Sequence, residues 1–306
     1  MELFGAGMDL SFLRALDWRG SAVVIIGSQD IVVRDLQVNS PRDDEKERTG
    51  DPVMSGFFVD GGHNIEFHRV KVFNCANVGI LFYGVRSSGV WDSKIIETLA
   101  DGIHVTNKGS TGSTYITIKG NYAYHTGDDS FATVGYKGNV NQWIWIKDNV
   151  SDYSHASGVT VEGSKNVEVH RNSIYRSKVA GIRVGSSEYW KTSGINEVDV
   201  RDNVLQEVRL DQNVPHPAIL VFAEYENVRN VHVASNTIKD PLTWMAFNLY
   251  GQQNGRCVCY TDVQNNLVND GFERIINCIV LGVETHNITI SGNRIFSEMH
   301  GMRDCE

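Results

Sequence analysis

The sequence has little of several things, and each shortage excludes a class of protein. It holds only 5 Pro among 306 residues, which favours uninterrupted strand ladders. No apolar run reaches the roughly 18 residues that a membrane-spanning helix needs, so we expect no membrane partner. The formal net charge is −9, which argues against nucleic acid as a partner and disfavours a strongly polyanionic substrate.

Cysteine is scarce and odd in number. The 5 Cys residues show no metal-ligand spacing, so a metal centre built on thiolates is not predicted. Cys257 and Cys259 are separated by a single residue, and we expect them to be too close for an easy internal disulfide. The set is typical of buried free thiols, with room for one bridge.

A helical pattern is also missing. No apolar stripe with a period of about 3.6 residues runs longer than about ten residues, apart from the stretch Leu10 to Leu16. The chain holds instead a short motif of apolar-x-apolar, two polar residues and Asn, as in Ile116-Thr-Ile-Lys-Gly-Asn121. Its alternation with period two and its Val, Ile and Thr content predict β-strands.

This Asn motif recurs along the chain. The successive Asn residues lie 28, 23, 31, 33, 30 and 27 residues apart, at Asn121, Asn149, Asn172, Asn203, Asn236, Asn266 and Asn293. Earlier copies end at Leu36 and Val70 in place of Asn. A variable period between roughly 20 and 50 residues indicates a repeat architecture. Because Asn tolerates the left-handed conformation, we expect it in a tight turn, where stacked Asn side chains hydrogen-bond from coil to coil.

A second apolar strand follows each of these turns, for example at Gly102-Ile-His-Val and Gly158-Val-Thr-Val. Consecutive strands with no helices between them predict an all-β fold. We predict a right-handed parallel β-helix, a solenoid of about ten coils. Residues 1–306 are expected to form a single domain, and a β-sandwich or a propeller is the alternative.

Acidic residues occupy matching positions on two adjacent coils. The residue before the Gly of the second strand, or before its equivalent, is Asp101 on one coil and Asp129 on the next. Asp128 comes one residue earlier and is expected to point elsewhere. Carboxylates that share a face repel each other, so the pKa of one rises and that group stays protonated. We predict Asp101, Asp128 and Asp129 as an acid and base catalytic set, with plain turn chemistry as the alternative.

Further polar and aromatic side chains are predicted around these acids, either at outward positions of the second strands or in the loops after them. Flat rings beside a cleft suit the stacking of sugar rings, and an Arg fork pairs well with hydroxyls and carboxylates. The predicted substrate-binding residues are His104, Tyr136, His155, Glu162, Arg183 and Trp190. Trp143 and Trp145 are predicted to point outward from a different strand, where they pack under a loop or form a secondary patch.

The two acidic segments resemble those of right-handed β-helix glycoside hydrolases. Ala100-Asp101-Gly-Ile-His104 and His125-Thr-Gly-Asp128-Asp129 are most similar to the α-1,3-glucanases (mutanases or mycodextranases), which have Asn where His104 and His125 stand. Dextranases and polygalacturonases resemble the chain more distantly. The resemblance covers residues 1–185 best, and it implies an inverting hydrolase that uses three Asp residues.

The polygalacturonase pattern of Asn-x-Asp, Gly-Asp-Asp, Gly-His-Gly and Arg-x-Lys is matched only in part. Leu99 replaces the Asn, Ser157 takes the place of the His, and Gly185 replaces the Lys, whereas Arg183 matches. Loss of the Lys argues against recognition of a uronic-acid carboxylate. The resemblance therefore disfavours pectin and favours a neutral sugar.

These points predict an inverting glycoside hydrolase that cleaves an α-linked neutral polysaccharide, with α-1,3-glucan first. The alternatives are a lyase, epimerase or polygalacturonase-like enzyme on a uronate polymer, an α-1,3-galactosidase, and a non-catalytic glycan-binding β-helix. No cofactor is predicted, although the lyase alternative would let the Asp residues bind calcium. We expect a secreted or extracellular monomer, although no signal peptide begins the sequence. Met1 followed almost at once by Gly5-Ala-Gly is typical of a chain that enters a coil midway.

Overall fold

Each coil contributes short parallel strands at the same places, so the strands stack into three sheets. The structure is a computed structural model that describes residues 1–17, 19–40, 52–211, 213, 216–252, 254–271 and 274–305. Sheet 1 consists of Glu2–Phe4, Gln29–Asn39, His63–Cys75, Arg86–Trp91, Thr114–Lys119, Asn141–Lys147, Ser164–His170, Ile195–Arg201, Val228–Ala234, Val258–Gln264 and Thr285–Ser291.

The other two sheets follow sheet 1 around each coil. Sheet 2 consists of Phe12–Arg14, Lys94–Thr98, Tyr122–Thr126, Val150–Asp152, Ser173–Tyr175, Val204–Gln206, Thr237–Lys239, Leu267–Asn269, Arg294–Ser297 and the antiparallel Gly301–Asp304. Sheet 3 consists of Val23–Ile26, Phe57–Asp60, Ile80–Tyr83, Ile103–Thr106, Phe131–Val134, Val159–Glu162, Ile182–Ser186, Ile219–Ala223, Met245–Gly251 and Asn277–Leu281. The 3₁₀ turn Pro52–Met54 precedes the second of these strands. The ten strands of sheet 3 confirm the predicted fold of about ten coils.

Sheets 1 and 2 are continuous in the early coils. The strands Gln29–Asn39 and His63–Cys75 run through the corner between the two sheets and belong to both. These are the coils in which Leu36 and Val70 replace the Asn of the motif, and both side chains are buried. In these two coils the strand runs through the corner, whereas in the Asn coils it is divided there.

The interior is a single apolar core along the helix axis. Inward-facing residues of the central strands, such as Ile116, Ile118, Ile144 and Ile146, are fully buried. Burial of such side chains removes apolar surface from water, at about 25 cal/mol for each Å². Alternate residues point outward, so the period-two pattern read from the sequence divides the core from the outer surface.

A ladder of buried Asn side chains runs along the corner between sheets 1 and 2. The Oδ1 of Asn149 accepts from the backbone N–H of Asn121 at 2.9 Å and from its Nδ2 at 3.0 Å. The Nδ2 of Asn149 donates to the Ile118 carbonyl at 2.9 Å. The same bonds repeat from coil to coil as far as Asn293. The predicted coil-to-coil hydrogen bonding of stacked Asn residues is confirmed.

The left-handed residue of this corner is the one before the Asn. Positive φ occurs at Asp148, Arg171 and Asp202, each just before a ladder Asn, while the ladder Asn residues are absent from the positive-φ set of the described chain. The expectation that the Asn itself adopts this conformation is wrong. The Asn needs an inward direction to reach the neighbouring coil, and the residue before it makes the turn.

The cysteines differ from the expectation of mostly free thiols. The structure joins Cys257 to Cys259 and Cys278 to Cys305. The expectation that Cys257 and Cys259 are too close for a bridge is wrong, because their Cα atoms lie 5.6 Å apart, within the range that a disulfide spans. The buried Cys75 thiol lies against the carbonyl oxygens of Asn77 and Val78. Within the described part of the chain, no helix has the length and hydrophobicity to cross a membrane.

The ladder predicts a large loss of stability when one Asn is removed. In Asn172→Ala, two donors of Asn149 and the carbonyl of Ile146 lose their partner in a buried corner. We expect the free energy of unfolding to fall by roughly 2–4 kcal/mol, since each unsatisfied buried group costs about 1–3 kcal/mol. Denaturant titration measures this change. The exposed Asn254→Ala is the matched control, and an equal effect in both variants would contradict a special role for the ladder.

Candidate active site

Two acidic side chains stack at the corner where the chain passes from sheet 2 into sheet 3. The strand Ile103–Thr106 pairs with Phe131–Val134, with Ile103 opposite Phe131. The N–H of Gly102 donates to the Asp129 carbonyl at 2.9 Å, so Asp101 and Asp129 occupy one column. The predicted register of these two acids on adjacent coils is confirmed.

Each of these carboxylates is held by the backbone of the following coil. The Asp129 N–H donates to Oδ1 of Asp101 at 3.1 Å, and the Ser157 N–H donates to Oδ1 of Asp129 at 2.8 Å. The second oxygen of Asp101 lies 2.6 Å from Nδ1 of His104. Both acids are nearly buried, with Asp101 3% exposed and Asp129 8% exposed. Their positions are therefore set by the coil-to-coil ladder.

Asp128 joins the same cluster. One carboxylate oxygen from each of Asp101, Asp128 and Asp129 lies within 4.8 Å of the other two. Asp128 is half-buried and lines the same cleft, so the expectation that it points elsewhere is wrong. Gly127 permits this placement, because a Cβ at Gly127 would overlap the backbone of Leu99 on the preceding coil. We call these three residues the Asp trio.

The crowding of acids raises the pKa of Asp129. Burial is the largest cause, followed by the negative charges of Asp128 and Asp101. Arg183 and the Ser157 N–H oppose this rise without cancelling it. Asp129 therefore keeps its proton to a higher pH than an ordinary Asp, as expected from carboxylates that share a face.

A cleft of about 800 Å³ opens over the trio and the outer face of sheet 3. Eight of the nine predicted site residues line it, namely Asp101, Asp128, Asp129, His104, Tyr136, Glu162, Arg183 and Trp190. A volume of this size suits a ligand of a few sugar rings. The outward columns of sheet 3 and the loops after it thus converge on one site.

Loops between sheet 3 and sheet 1 form one wall of the cleft. The Tyr136 N–H donates to the Asn107 side chain at 2.8 Å, and Tyr136 forms a β-bridge with Thr192. The next N–H, of Lys137, donates to the Lys191 carbonyl at 3.1 Å. Trp190 is 55% exposed at the rim. Because the loops are bonded to one another, the Tyr136 and Trp190 rings belong to a single wall.

Arg183, which is partly exposed, pairs with the buried Glu162 on the floor of the cleft. Nη2 of Arg183 lies 3.2 Å from Oε1 of Glu162, and the guanidinium lies over the Phe222 ring with its carbon 5.0 Å from the ring centre. Burial raises the pKa of Glu162, although the charge of Arg183 opposes this. Arg183 is therefore already engaged with a carboxylate of the protein.

Several floor atoms have hydrogen-bonding capacity that the protein does not use. In the described part of the chain, eleven buried side-chain atoms lack a hydrogen-bond partner. Five of them belong to cleft residues: His104 Nε2, Thr106 Oγ1, Thr160 Oγ1, Glu162 Oε2 and Arg183 Nε. Since buried polar groups are normally satisfied, such a concentration indicates a site for a hydroxyl-rich ligand.

His155 is the one predicted site residue that does not line the cleft. Its ring lies 5.2 Å from that of His125 and 6.2 Å from that of Tyr153, at the end of sheet 2. Its backbone N–H donates to the Thr126 carbonyl at 2.9 Å. Burial, with the nearby charges of Lys178 and His125, lowers the pKa of His155. His155 is therefore a residue of the turn between Val150–Asp152 and Val159–Glu162 that packs outside the cleft.

The cleft residues that the sequence did not predict include Asn107 and Lys137. Both lie in loops that directly follow strands of sheet 3, as Tyr136 does, and this shared position in the repeat was the sequence signal that could have identified them.

The Asp trio is the one cluster of three or more possible metal ligands in the described residues whose ligand atoms could converge on a cation. Its carboxylates could serve calcium as well as acid and base chemistry.

A family model identifies the protein family of this chain. The model for the right-handed β-helix region matches residues 55–272 of the chain. The chain belongs to the right-handed β-helix family. This membership agrees with the three parallel sheets and confirms the predicted hand of the helix. None of the curated protein sequences matches the chain.

Solved structures of β-helix proteins superpose on this chain. The catalytic domain of a GH87 α-1,3-glucanase in complex with nigerose matches with a TM-score of 0.68 and 19% identity, over 96% of this chain and 57% of that one. An exopolygalacturonase from Thermotoga maritima matches with a TM-score of 0.67 and 17% identity, over 89% and 72% of the two chains. The A-module of the mannuronan C-5 epimerase AlgE6 of Azotobacter vinelandii matches at 0.60 and 18%, over 95% and 82%.

These likenesses establish the fold. This chain spans 57% of the length of the glucanase catalytic domain that it matches. The three matched proteins share the solenoid, although their names describe different reactions on carbohydrates. The fold is shared by different chemistries, so the chemistry of this chain depends on the residues of its own cleft.

The raised pKa of Asp129 predicts how stability depends on pH. Between the unfolded pKa of about 3.9 and the higher folded value, the folded protein binds more protons than the unfolded chain, so Asp129 lowers stability as pH rises through that window. Asp129→Asn should therefore have a higher melting temperature than the parent at pH 8 and nearly the same one at pH 3.5. Calorimetry at both pH values measures this difference.

Asp35→Asn is the control of opposite sign. Hydrogen bonds from Arg69 and Arg34 lower the pKa of Asp35 to about 2, so its contribution is present above about pH 3.9 and is lost as pH falls through about 2. This variant should lower the melting temperature at pH 8. A lower melting temperature for Asp129→Asn at pH 8 would contradict the assignment of a raised pKa.

Proposed function

We propose that this protein is an inverting glycoside hydrolase that cleaves an α-linked neutral polysaccharide, with α-1,3-glucan as the first candidate. The observation that carries the proposal is the Asp trio, in which one buried carboxyl with a raised pKa lies beside two others at the base of a cleft. Hydrolysis of a glycosidic bond needs a protonated acid for the leaving oxygen and a base for the attacking water.

The surroundings of each carboxyl support a division of roles. Asp129 is the general acid, because its raised pKa keeps the proton that the leaving oxygen requires. Asp128 is the base, because it is the least buried of the three and meets the water of the cleft. Asp101 accepts from the Asp129 N–H and lies against His104, so it orients the pair and assists the base.

The spacing of the trio bears on stereochemistry. One oxygen from each acid lies within 4.8 Å of the other two, whereas the gap between the two carboxyl groups is about 6.5–9.5 Å in inverting enzymes and about 5–5.5 Å in retaining ones. Inversion here requires the attacking water to be bound by Asp128 and Asp101 together, beside the acid Asp129. Asp101 is the third carboxylate, and it supplies the second hydrogen-bond acceptor for this water.

The state of Arg183 supports a neutral substrate. A uronate-binding site needs a cation for the substrate carboxylate, and the charge of Arg183 is balanced in part by Glu162, whose Oε1 lies 3.2 Å from its Nη2. Gly185 follows two residues later, where the polygalacturonase pattern has Lys. Five unpartnered floor atoms instead suit hydroxyl groups.

The structural match to an epimerase and an exopolygalacturonase keeps a uronate polymer as the second candidate. Lys137 lines the cleft and is the cation that would contact a uronate carboxylate in that case. An α-1,3-galactosidase and a non-catalytic glycan-binding protein are the remaining alternatives. Each of these predicts a different product from the same panel of substrates.

We further propose a secreted monomer that requires no cofactor. The two disulfides support an oxidising compartment, since such bonds form and persist outside the cytosol. The trio is explained by acid and base chemistry without a bound cation.

The substrate panel tests the proposed function. The protein is incubated with α-1,3-glucan, dextran, polygalacturonate and alginate, with and without EDTA, and the products are followed by NMR. We expect new reducing ends from α-1,3-glucan, first seen as the inverted anomer, and no effect of EDTA. An unsaturated product absorbing in the ultraviolet would indicate a lyase, a retained anomer would contradict inversion, and loss of turnover with EDTA would favour calcium.

Single substitutions of the trio test the roles. Asp129→Asn and Asp128→Asn remove the acid and the base, and we expect turnover to fall by at least about 10³-fold in each, a loss in keeping with general acid and base catalysis. Asp202→Asn is the matched control, because Asp202 is exposed at a corner turn whose left-handed φ Asn tolerates. Turnover that survives in both trio variants would contradict the proposed mechanism.

A further inference from the structure

Two aromatic rings lie parallel on the outside of sheet 1, apart from the cleft. The Tyr115 and Trp143 rings belong to adjacent coils, with their centres 6.2 Å apart and their planes 3° from parallel. Tyr115 is 49% exposed and Trp143 is 41% exposed. Two exposed rings on adjacent coils form a continuous apolar patch, and such patches mark binding surfaces more often than single exposed residues do. We call Tyr115 and Trp143 the aromatic platform.

Both rings stand at a left-handed position, here called the bulge, that successive strands of sheet 1 repeat from Gln29–Asn39 onward. Thr114 pairs with Gln142 and Ile116 with Ile144, so Tyr115 and Trp143 lie opposite each other at an unpaired position of the two strands. Their φ values of 58° and 59° lie in the left-handed region. This conformation turns the side chain away from the core and holds it against solvent.

The bulge itself does not require aromatic residues. The same position on other coils holds residues that are smaller or more polar, namely Asp30, Asn64, Ser87, Asn166, Glu197, Asn230 and Asn287, and Tyr260 near the end of the chain. Asn and Asp tolerate the left-handed conformation better than aromatic residues do. Two adjacent aromatics therefore have a use other than making the turn.

A shallow polar groove continues from the platform along the next coils. It has a volume of about 350 Å³ and begins at Trp143. Asn166, Glu197 and Asn230 follow Trp143 in the bulge column, and Glu168 and Asp199 lie in the neighbouring column. None of the described residues that line this groove also lines the cleft. The platform and its groove are thus a separate surface.

The charges of this groove define its ligand. Among the described lining residues there are three carboxylates and no Lys or Arg, which disfavours a uronate chain or a nucleic acid. Glu168 pairs with Lys147 at 2.5 Å and Asp199 with Arg201 at 3.1 Å, so these carboxylates already have cations of the protein. Amide and carboxylate oxygens beside flat rings match a neutral sugar, whose C–H faces pack on aromatics while its hydroxyls donate to oxygens.

We propose that the aromatic platform and its groove are a second glycan-binding surface, which holds a neutral polysaccharide chain away from the cleft. The two parallel rings bind successive sugar units, and the polar columns hydrogen-bond the hydroxyls of the units that follow. The identity of the polysaccharide rests on the proposed function, whereas the binding surface does not require hydrolysis. Its role is to keep an insoluble polymer in contact with the protein.

The experiment measures binding of the full chain to insoluble polysaccharide by sedimentation. The polymers are α-1,3-glucan, cellulose and starch granules, and the proteins are the parent, Tyr115→Ala, Trp143→Ala, Trp143→Phe and Tyr260→Ala. We expect Kd for at least one polymer to rise roughly fivefold to tenfold in Tyr115→Ala and Trp143→Ala, as loss of one stacking contact predicts. Trp143→Phe should retain most of the binding, because it keeps a ring.

Tyr260→Ala is the matched control. Tyr260 occupies the same bulge column and is 60% exposed, but it has no ring partner among the described residues. We expect its Kd to equal that of the parent. Circular dichroism of all variants checks the fold, and turnover of a short soluble oligosaccharide should be unchanged in Trp143→Ala.

The outcomes separate this proposal from the proposed hydrolase. Equal binding by the parent and Trp143→Ala, or no binding of the parent to any polymer, overturns the second surface even if hydrolysis is found. Weaker binding by Tyr260→Ala to the same degree overturns it as well, because any exposed ring would then suffice. If the platform variants bind more weakly and no substrate is hydrolysed, the second binding surface is supported and the proposed hydrolase activity is overturned.

Discussion

The hydrogen bonds between stacked coils are the constraint on which the rest of this structure depends. In the corner ladder, each buried Asn satisfies two donors and one carbonyl of the preceding coil, as Asn172 does for Asn149 and Ile146. A coil that slipped by one residue would leave these groups unsatisfied and would turn its apolar residues outward. Register is therefore enforced at every coil, even though the coils differ in length by up to ten residues, since ladder bonds span from 23 to 33 residues.

The same register assembles the Asp trio against electrostatic repulsion. Asp101 and Asp129 are neighbours because their strands pair, and the backbone N–H groups that hold their oxygens come from the same ladder. Burial and adjacent charges raise the pKa of Asp129, which disfavours folding at neutral pH and equips the site with a proton. A local cost of this kind is typical of a functional site, where surrounding structure holds groups together that would otherwise separate.

The outside of the solenoid shows how one backbone position serves different ends. The bulge column of sheet 1 carries polar residues on most coils and two aromatics on adjacent coils. Because the backbone conformation there is set by the fold, a substitution changes the surface without changing the coil. The outward positions of sheet 3 also change residue from coil to coil on a constant backbone. One column of these positions carries His104, Thr160 and Arg183 along the floor of the cleft. The cleft and the proposed second surface therefore lie on separate sheets of one solenoid.

The sequence by itself determined the solenoid, the Asn ladder and the shared column of Asp101 and Asp129. These features follow from period-two alternation and from a repeated motif, and parallel stacking converts equal positions in the motif into spatial neighbours. Only the tertiary structure decided that the left-handed residue precedes the Asn, that Asp128 enters the cleft, and that Cys257 bonds to Cys259. It also decided that Arg183 pairs with Glu162 and that His155 packs beside His125. The physical reason is that a motif defines which face a residue occupies, whereas partners at a corner or in a loop depend on side chains from several coils at once.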